Sequence, residues 1–295
     1  MCIRDSSKDT LEYLWMQLDQ NLFDPKMMAH QSRTTSGLND QSFNQFEGLL
    51  NAQEFDGGYK ITAVKDAAGK PLKHVIVQTM MRIIPPQPLK PGGKITFSVD
   101  WSFNIIDATK IRSRMGYEFF EEDKNHLYAL AQWFPRMCAY TDVTGWQNKQ
   151  FLGTGEFALE FGDYLVRITA PADHIVASTG ELQNPEAVLT KTQLDRLAKA
   201  RDAKKPVFIV TLDEAKANEK EKAKGKKTWI YKADNVRDFA WCSSRKFLWD
   251  AMGMDLNGKK IMCMSYWPKE GEPPVSYTHL RAHETSLHLV CRLLL

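Results

Sequence analysis

The most suggestive chemistry in the chain lies near its end, where His283-Glu284 is followed by His288. Two histidines flanking a glutamate bind zinc in the pattern His-Glu-x-x-His, because residues i and i+4 share one helix face. Here the second histidine stands one place further on. At about 100° per residue, the two rings then sit about 140° apart around a helix, not about 40°. One zinc could be reached by both only across a broken helix, and nothing nearby supplies the outer hydrogen bonds that orient metal-bound imidazoles. The pair is set aside as a metal site.

The other reactive residue types are scattered. His30, His74, His126 and His174 are never followed by glutamate, and each reads as a surface or hydrogen-bonded structural histidine. Cys138, Cys242 and Cys263 lack Cys-x-x-Cys spacing, so they read as buried small hydrophobes. Gly153-Thr154-Gly155 is closed by no Gly-Lys-Ser/Thr and precedes a strand, which favours a hairpin turn over a phosphate loop. No Gly-x-Ser-x-Gly elbow is present. Glu118, Glu121, Glu122 and Asp123 could hold a cation or act as acid and base, but a hairpin tip with solvated charges explains them more simply. The eight tryptophans could line a carbohydrate groove, yet alternating Trp101, Phe103 and Trp229, Tyr231 fit a sandwich core better. No complete catalytic set emerges. No residue is assigned as catalytic, substrate-binding or metal-ligating.

Composition bounds what such residues could belong to. The 295 residues carry 39 basic and 36 acidic side chains, a net charge of +3, which does not suit a nucleic-acid partner. A hydrophobic share of 43% and a charged share of 25% are ordinary for a globular chain. No run approaches the ~18 apolar residues of a membrane-spanning helix. Five cysteines do not describe a disulfide framework.

The elements follow from periodicity. Asp9-x-x-Glu12 resembles a capping box, and Leu11, Leu14, Trp15, Leu18 and Leu22 predict a helix over residues 9–22. Residues 25–44 are polar and read as an irregular connection. Strands are expected from residue 59, over 72–84 and over 94–106, in series with short loops, hence an antiparallel meander. Further strands are expected over 117–120, 128–133, 155–161, 164–170, 207–212, from 229 and over 236–241. Asn184-Pro185 opens a helix running to about residue 204. Residues 214–227 mix Lys and Glu as a solvated helix or loop, helix signals return over 243–252, and 260–266 is a final strand. The fold class expected is mainly β: an antiparallel β-sandwich with a few helices.

The two ends stand apart from this pattern. Met1-Cys2-Ile3-Arg4-Asp5-Ser6 is no signal peptide. Residues 275–295 hold His279, His283 and His288 and stop on Leu293-Leu294-Leu295. Both ends resemble translated sequencing-adapter DNA, which recurs at the edges of metagenomic reading frames. Residues 1–7 and 275–295 are therefore expected to be artefacts. Removing Arg4, Asp5, Arg281, Glu284 and Arg292 takes the charge from +3 to +2.

One series of segments carries a family resemblance. It comprises Ala131-Gln132-Trp133-Phe134-Pro135-Arg136-Met137, Gly145-Trp146-Gln147-Asn148, Gly155-Glu156-Phe157 and Tyr164-Leu165-Val166-Arg167-Ile168-Thr169-Ala170-Pro171-Ala172-Asp173. With the lead-in Leu89-Lys90-Pro91-Gly92-Gly93, the turn Ser178-Thr179-Gly180-Glu181-Leu182 and Asn235-Val236-Arg237-Asp238-Phe239-Ala240-Trp241, it is similar to the amino-terminal β-domain of aminopeptidase N-like zinc metallopeptidases, the gluzincins related to membrane alanyl aminopeptidase. The resemblance implies a saddle-like β-domain over residues 8–250 and the start of a thermolysin-like α/β catalytic domain over 251–274. It also implies zinc and a peptide substrate in a full-length parent, held by a His-Glu-x-x-His motif, a later glutamate and a Gly-x-Met-Glu-Asn-type segment. None of these motifs is present here. Arg136 and Met137 stand where many members have cysteine and then an acidic-Pro pair, so no substrate contact is carried over.

The expected function is thus the non-catalytic amino-terminal domain of a zinc aminopeptidase, partnered by a missing catalytic domain of the same chain. The rival class is a self-standing β-sandwich module binding carbohydrate or a protein partner. A complete enzyme using residues 118–123 would need further ligands that the sequence does not offer.

Overall fold

Alternating and β-branched side chains make strand the commonest regular structure in the chain. The computed structural model describes residues 2–3, 8–27, 43–111, 113, 115–153, 158–220, 222–271 and 290–293. The first half contains β1 (Cys2–Ile3), β2 (Leu14–Gln17), helix α1 (Phe43–Glu54), β3 (Lys60–Asp66), β4 (Lys73–Val77), β5 (Met80–Ile84), β6 (Phe97–Ser102), β7 (Gly116–Phe120), β8 (Asn125–Leu130), β9 (Arg136–Met137), β10 (Tyr140–Thr141) and β11 (Gly145–Trp146). The second half contains β12 (Gly162–Pro171), β13 (Ile175–Ser178), β14 (Glu181–Leu182), helices α2 (Pro185–Val188) and α3 (Lys191–Ala200), β15 (Val207–Val210), helix α4 (Leu212–Lys220), β16 (Lys226–Val236), β17 (Trp241–Ser244), β18 (Phe247–Leu256), β19 (Lys259–Pro268) and β20 (Val290–Leu293). Among the described residues the chain is mainly β, with several antiparallel sheets, few helices and no closed barrel.

The sheets enclose two cores. One four-stranded sheet, β4-β5-β2-β9, and the β3-β6 pair bury Leu14, Met16, Leu18, Val64, Met81, Ile83 and Met137. The larger core lies among the sheets β12-β16-β14, β13-β17-β8-β7 and β15-β18-β19 and is dominated by Trp229, Phe239, Phe247, Trp249, Tyr266 and Trp267. Its strand β18 runs unbroken through positions 250 and 251, the expected domain join, and pairs with both β15 and β19.

Several sequence expectations are corrected. Residues 9–22 are not a helix: β2 is a central strand between β5 and β9, and a 3-10 turn, Asp19–Phe23, follows it. Residues 243–252 are not a helix either, because Phe247 to Ala251 are buried in β18. Both errors share a cause: a central strand covered on both faces shows no alternation and mimics a buried helix. Residues 72–84 are a hairpin rather than one strand, turning at Gln78-Thr79 with Gln78 at φ 57°. The turn bears no Gly, Asn or Pro signal because distant groups hold it. Asn21 Nδ2 donates to the Gln78 carbonyl at 2.7 Å, and Gln150 Oε1 accepts from Thr79 N at 2.8 Å. Consequently β3 pairs with β6, and the expected meander is replaced by a crossover.

Smaller differences follow the same logic. The 184–204 helix is split at Leu189, and Thr190 starts α3 with a capping box to Gln193. Residues 236–241 are not one strand, since 237–240 leave the sheet. Of 155–161, residues 158–161 are not strand, and the rest lie outside the described residues. So does part of the 25–44 connection, which ends where α1 begins. The strands expected over 117–120, 164–170 and 260–266 are present as β7, β12 and β19, and that over 207–212 as the shorter β15, which stops at Val210 because Leu212 already opens α4.

Candidate functional site: two buried ion clusters

Charged residues drawn into an apolar interior must find partners, so the places where this happens are the chemically distinctive ones. Arg136 is the first. It lies on β9, its side chain 4% exposed, where the two cores meet. Its Nη2 is 2.8 Å from Asp19 Oδ2, its Nε donates to the same oxygen at 3.0 Å, and its Nη1 donates to Asp238 Oδ2 at 2.7 Å. Burial pushes the Asp19 carboxyl above its ordinary value despite Arg136. Burial would lower Arg136, but Asp19 and Asp238 outweigh it and hold the guanidinium charged. Burial also pushes Tyr59 well up and the Cys138 thiol up to about 12. Neither is poised to give or take a proton near neutrality.

The neighbouring backbone is held from two sides. Gln132 adopts φ 52°, and its carbonyl accepts from Gln20 Nε2 at 2.8 Å and from Tyr59 Oη at 3.1 Å. The segment Trp133 to Arg136 thereby arrives in one orientation. Trp133 Nε1 donates to the Phe239 carbonyl at 2.8 Å. Phe134 meets Tyr164 edge-on at 5.9 Å, and Tyr164 stacks on Phe239.

The second cluster surrounds Lys246, in the turn between β17 and β18, whose side chain is fully buried. Its Nζ bonds Asp123, lies 2.8 Å from Glu270 Oε1 and 3.3 Å from Glu219 Oε1. Lys269 bonds Glu219 from the outer side and stands 3.6 Å from Asp123. Burial works against the charge of Lys246, but its bonds to Asp123 and Glu270 prevail and raise it. Asp123 is likewise held below the ordinary carboxylate value: burial opposes this, and the Lys246 bond outweighs it. Phe120 lies against the ammonium at 4.4 Å.

Asp123, Glu219 and Glu270 bring carboxylate oxygens within 4.8 Å of one another, the spacing of a cation site. The centre is taken: two ammonium groups already neutralise two of three carboxylates. No histidine joins them, so the donor set does not fit zinc, which prefers nitrogen and sulfur ligands. The cluster's chemistry is to tie four elements together.

The residues flagged by sequence are dispersed. Glu118 lies on β7, while Glu121 and Glu122 are solvated at the β7–β8 tip; only Asp123 turns inward. His74 is exposed on β4, and His126 stacks on Tyr128. His174 is buried with Nδ1 2.8 Å from Ser243 Oγ, and burial depresses it to about 4. Cys138, Cys242 and Cys263 are buried thiols that form no disulfide with one another. Trp229 and Tyr231 are core residues; Trp101 packs against Phe103, Tyr59 and Trp133. His30, His283, Glu284, His288 and the Thr154-Gly155 pair lie outside the described residues. Sequence reasoning missed Arg136, Asp19, Asp238, Lys246, Glu219 and Glu270. The available signal was a charge inside an apolar run, as in Lys246-Phe247-Leu248-Trp249, which must be paired. A cavity of about 50 Å3 beside Trp249 and Tyr231 is far below the ~300 Å3 of a small-molecule site.

No family model matches the sequence, and no curated protein matches it. Among solved structures, an M1 zinc metallopeptidase variant from Deinococcus radiodurans bound to a Tyr-Ser-Ala substrate is 10% identical, covering 92% of this chain and 44% of its own, with a TM-score of 0.45. The M1 zinc metallopeptidase from the same organism is 10% identical over 87% of this chain and 40% of its own, with a TM-score of 0.42. A two-domain M1 zinc metallopeptidase variant bound to L-arginine is also 10% identical, covering 94% of this chain and 46% of its own, with a TM-score of 0.43. The chain spans less than half the length of each of these structures.

Proposed function

We propose that this chain is the non-catalytic amino-terminal β-domain of an aminopeptidase N-like zinc peptidase, with residues 251–274 opening the catalytic domain. The observation that carries the reading is the convergence of the segments bearing the resemblance. Residues 131–137, 164–173 and 235–241, far apart in sequence, meet through the Trp133–Phe239 hydrogen bond, the Arg136–Asp238 pair and the Phe134–Tyr164–Phe239 ring contacts. Residues shared with a family and packed on one another are what a common domain core predicts. In this reading the chain supplies a rigid platform, the partner is the catalytic domain, and zinc and the peptide belong to residues of that domain.

Two measurements test it. Sequencing the source DNA from codon 268 onward is expected to show the frame continuing past Pro274 into a Met-Glu segment and then His-Glu-x-x-His; a genuine end at Leu295 overturns the reading. Purified chain is expected to hold no stoichiometric zinc and to leave aminoacyl anilides intact. Zinc bound one-to-one and lost in His283→Ala would also overturn it, and saturable tryptophan quenching by oligosaccharides would favour the rival module.

A further inference from the structure

We propose that the corner between β12 and β13 is an acid-operated latch: closed while His174 is neutral, and released from residues 222–225 when that imidazole takes up a proton. This inference is independent of the peptidase reading. His174 ends the turn, its amide donating to the Pro171 carbonyl at 3.0 Å, and the residue is 6% exposed. Its Nδ1 shares a hydrogen bond of 2.8 Å with Ser243 Oγ on β17. On β8, its ring lies 6.4 Å from that of Tyr128, and His126 stacks on the same phenol.

A neutral imidazole is satisfied in this place, and a charged one is not. The Ser243 hydroxyl can serve either form, but it brings no charge. Tyr128 is a phenol that burial keeps neutral. Arg245, in the turn between β17 and β18, opposes a positive charge on the ring, and so does His126. The carboxylate that favours one is Asp173, and it is already committed. Arg245 Nε lies 3.2 Å from its Oδ2 and Nη2 donates to its Oδ1 at 3.4 Å, while Ala223 N donates to Oδ2 at 2.8 Å. Lys220 and Lys222, at the end of α4 and just beyond it, add only further positive charge. A buried cation without a counter-charge either sheds its proton or moves to water.

The corner is the part that can give way. Two bonds tie it to residues 222–225: the one from Ala223 N to Asp173, and one from Ala172 N to the Gly225 carbonyl at 2.9 Å. An open cleft of about 590 Å3 lies against these residues, lined in part by Asp173, Lys222 and Ala223. Parting the two bonds lets the ring reach water there, while β13 keeps its pairing with β17 from Ile175 onward. Burial holds folded His174 at about 4, against 6.5 for an exposed imidazole. Between these values the open corner binds a proton that the closed one refuses, so closure weakens as pH falls from 6.5 toward 4. From pH 7 to about pH 4.5 the closing equilibrium falls about fiftyfold.

Hydrogen exchange of the whole chain, followed by mass spectrometry at pH 7 and about pH 4.5 and corrected for intrinsic rates, reads the latch. Peptides carrying Ala172, His174 and Ala223 are expected to lose protection about fiftyfold, while those carrying β5 keep theirs. His174→Asn leaves a polar side chain that does not titrate, and it is expected to abolish the difference. Equal protection of the corner at both pH values overturns the proposal. So does an equal loss in β5, which would be global unfolding, or a loss that persists in His174→Asn. Where that variant does not fold, NMR titration of the wild-type imidazole decides: a midpoint near 4 supports the latch, and one near 6.5 overturns it.

Discussion

Two of the buried cations among the described residues, Arg136 and Lys246, solve one problem in different ways. Arg136 is a planar fork whose donors reach two aspartates from opposite directions, so one residue welds the two cores. Lys246 is a point charge that needs three carboxylates and a second lysine around it, and it gathers a hairpin tip, α4, a strand turn and the 3-10 turn Lys269–Gly271 after β19. The Arg136 cluster depends on geometry. The Lys246 cluster depends on numbers. A cluster of the second kind survives losing a member better than one of the first.

Arg136→Ala is expected to have the largest effect, because it strands Asp19 in the interior: about 3–5 kcal/mol lost, seen as a large drop in denaturation midpoint or failure to fold. Arg136→Lys is expected to recover little, since an ammonium cannot span both aspartates. Lys246→Ala is expected near the lower end, about 3 kcal/mol, because Lys269 stays beside Asp123 and Glu219. If the two losses are equal in chemical denaturation, the distinction between the clusters fails.

Acid separates them by sign. Folded Asp123 sits below its ordinary value of 3.8, so the unfolded chain binds its proton more readily. Its contribution is present above 3.8 and is lost as pH falls through the lower folded value. Asp19 sits above 3.8 in the folded state, so between 3.8 and that higher value the folded chain binds more protons, and stability from Asp19 rises as pH falls. Asp123→Asn is therefore expected to flatten acid unfolding, and Asp19→Asn to steepen it. Urea midpoints between pH 7 and pH 3 report both, and slopes of the same sign would contradict this account.

The smallest effect is expected at the start of α4, which carries Glu219. Thr211 N donates to Glu214 Oε2 at 2.8 Å and Glu214 N donates to Thr211 Oγ1 at 3.3 Å, a reciprocal cap. Thr211→Ala is expected to cost about 1 kcal/mol and to raise hydrogen exchange around α4 while leaving that around β9 unchanged. Faster exchange at β9 would show that the clusters are coupled.

The same capping pattern shows how far sequence reaches. Thr190-x-x-Gln193 and Thr211-x-x-Glu214 do start helices. Asp9-x-x-Glu12 does not, and Asp9 accepts instead from Tyr140 Oη at 2.6 Å. A cap is read locally, but whether a helix follows depends on what packs against the next residues. Leu14 to Gln17 pair with β5, Met16 and Gln17 with β9 as well, and Leu14, Met16 and Gln17 are buried.

What the sequence determined by itself was the strand-rich class, from side chains that alternate wherever one sheet face meets solvent, as in β3, β6 and β16. Tertiary structure alone decided β2, β18 and the Gln78-Thr79 turn, because burial on both faces erases periodicity and distant hydrogen bonds replace local turn chemistry. It alone decided the ion clusters as well. Asp19, Arg136 and Asp238 are separated by more than a hundred residues at each step, and pairing at that range is set by which strands neighbour in the sheets. Electrostatic attraction is short in reach, whereas sequence distance places no limit on it.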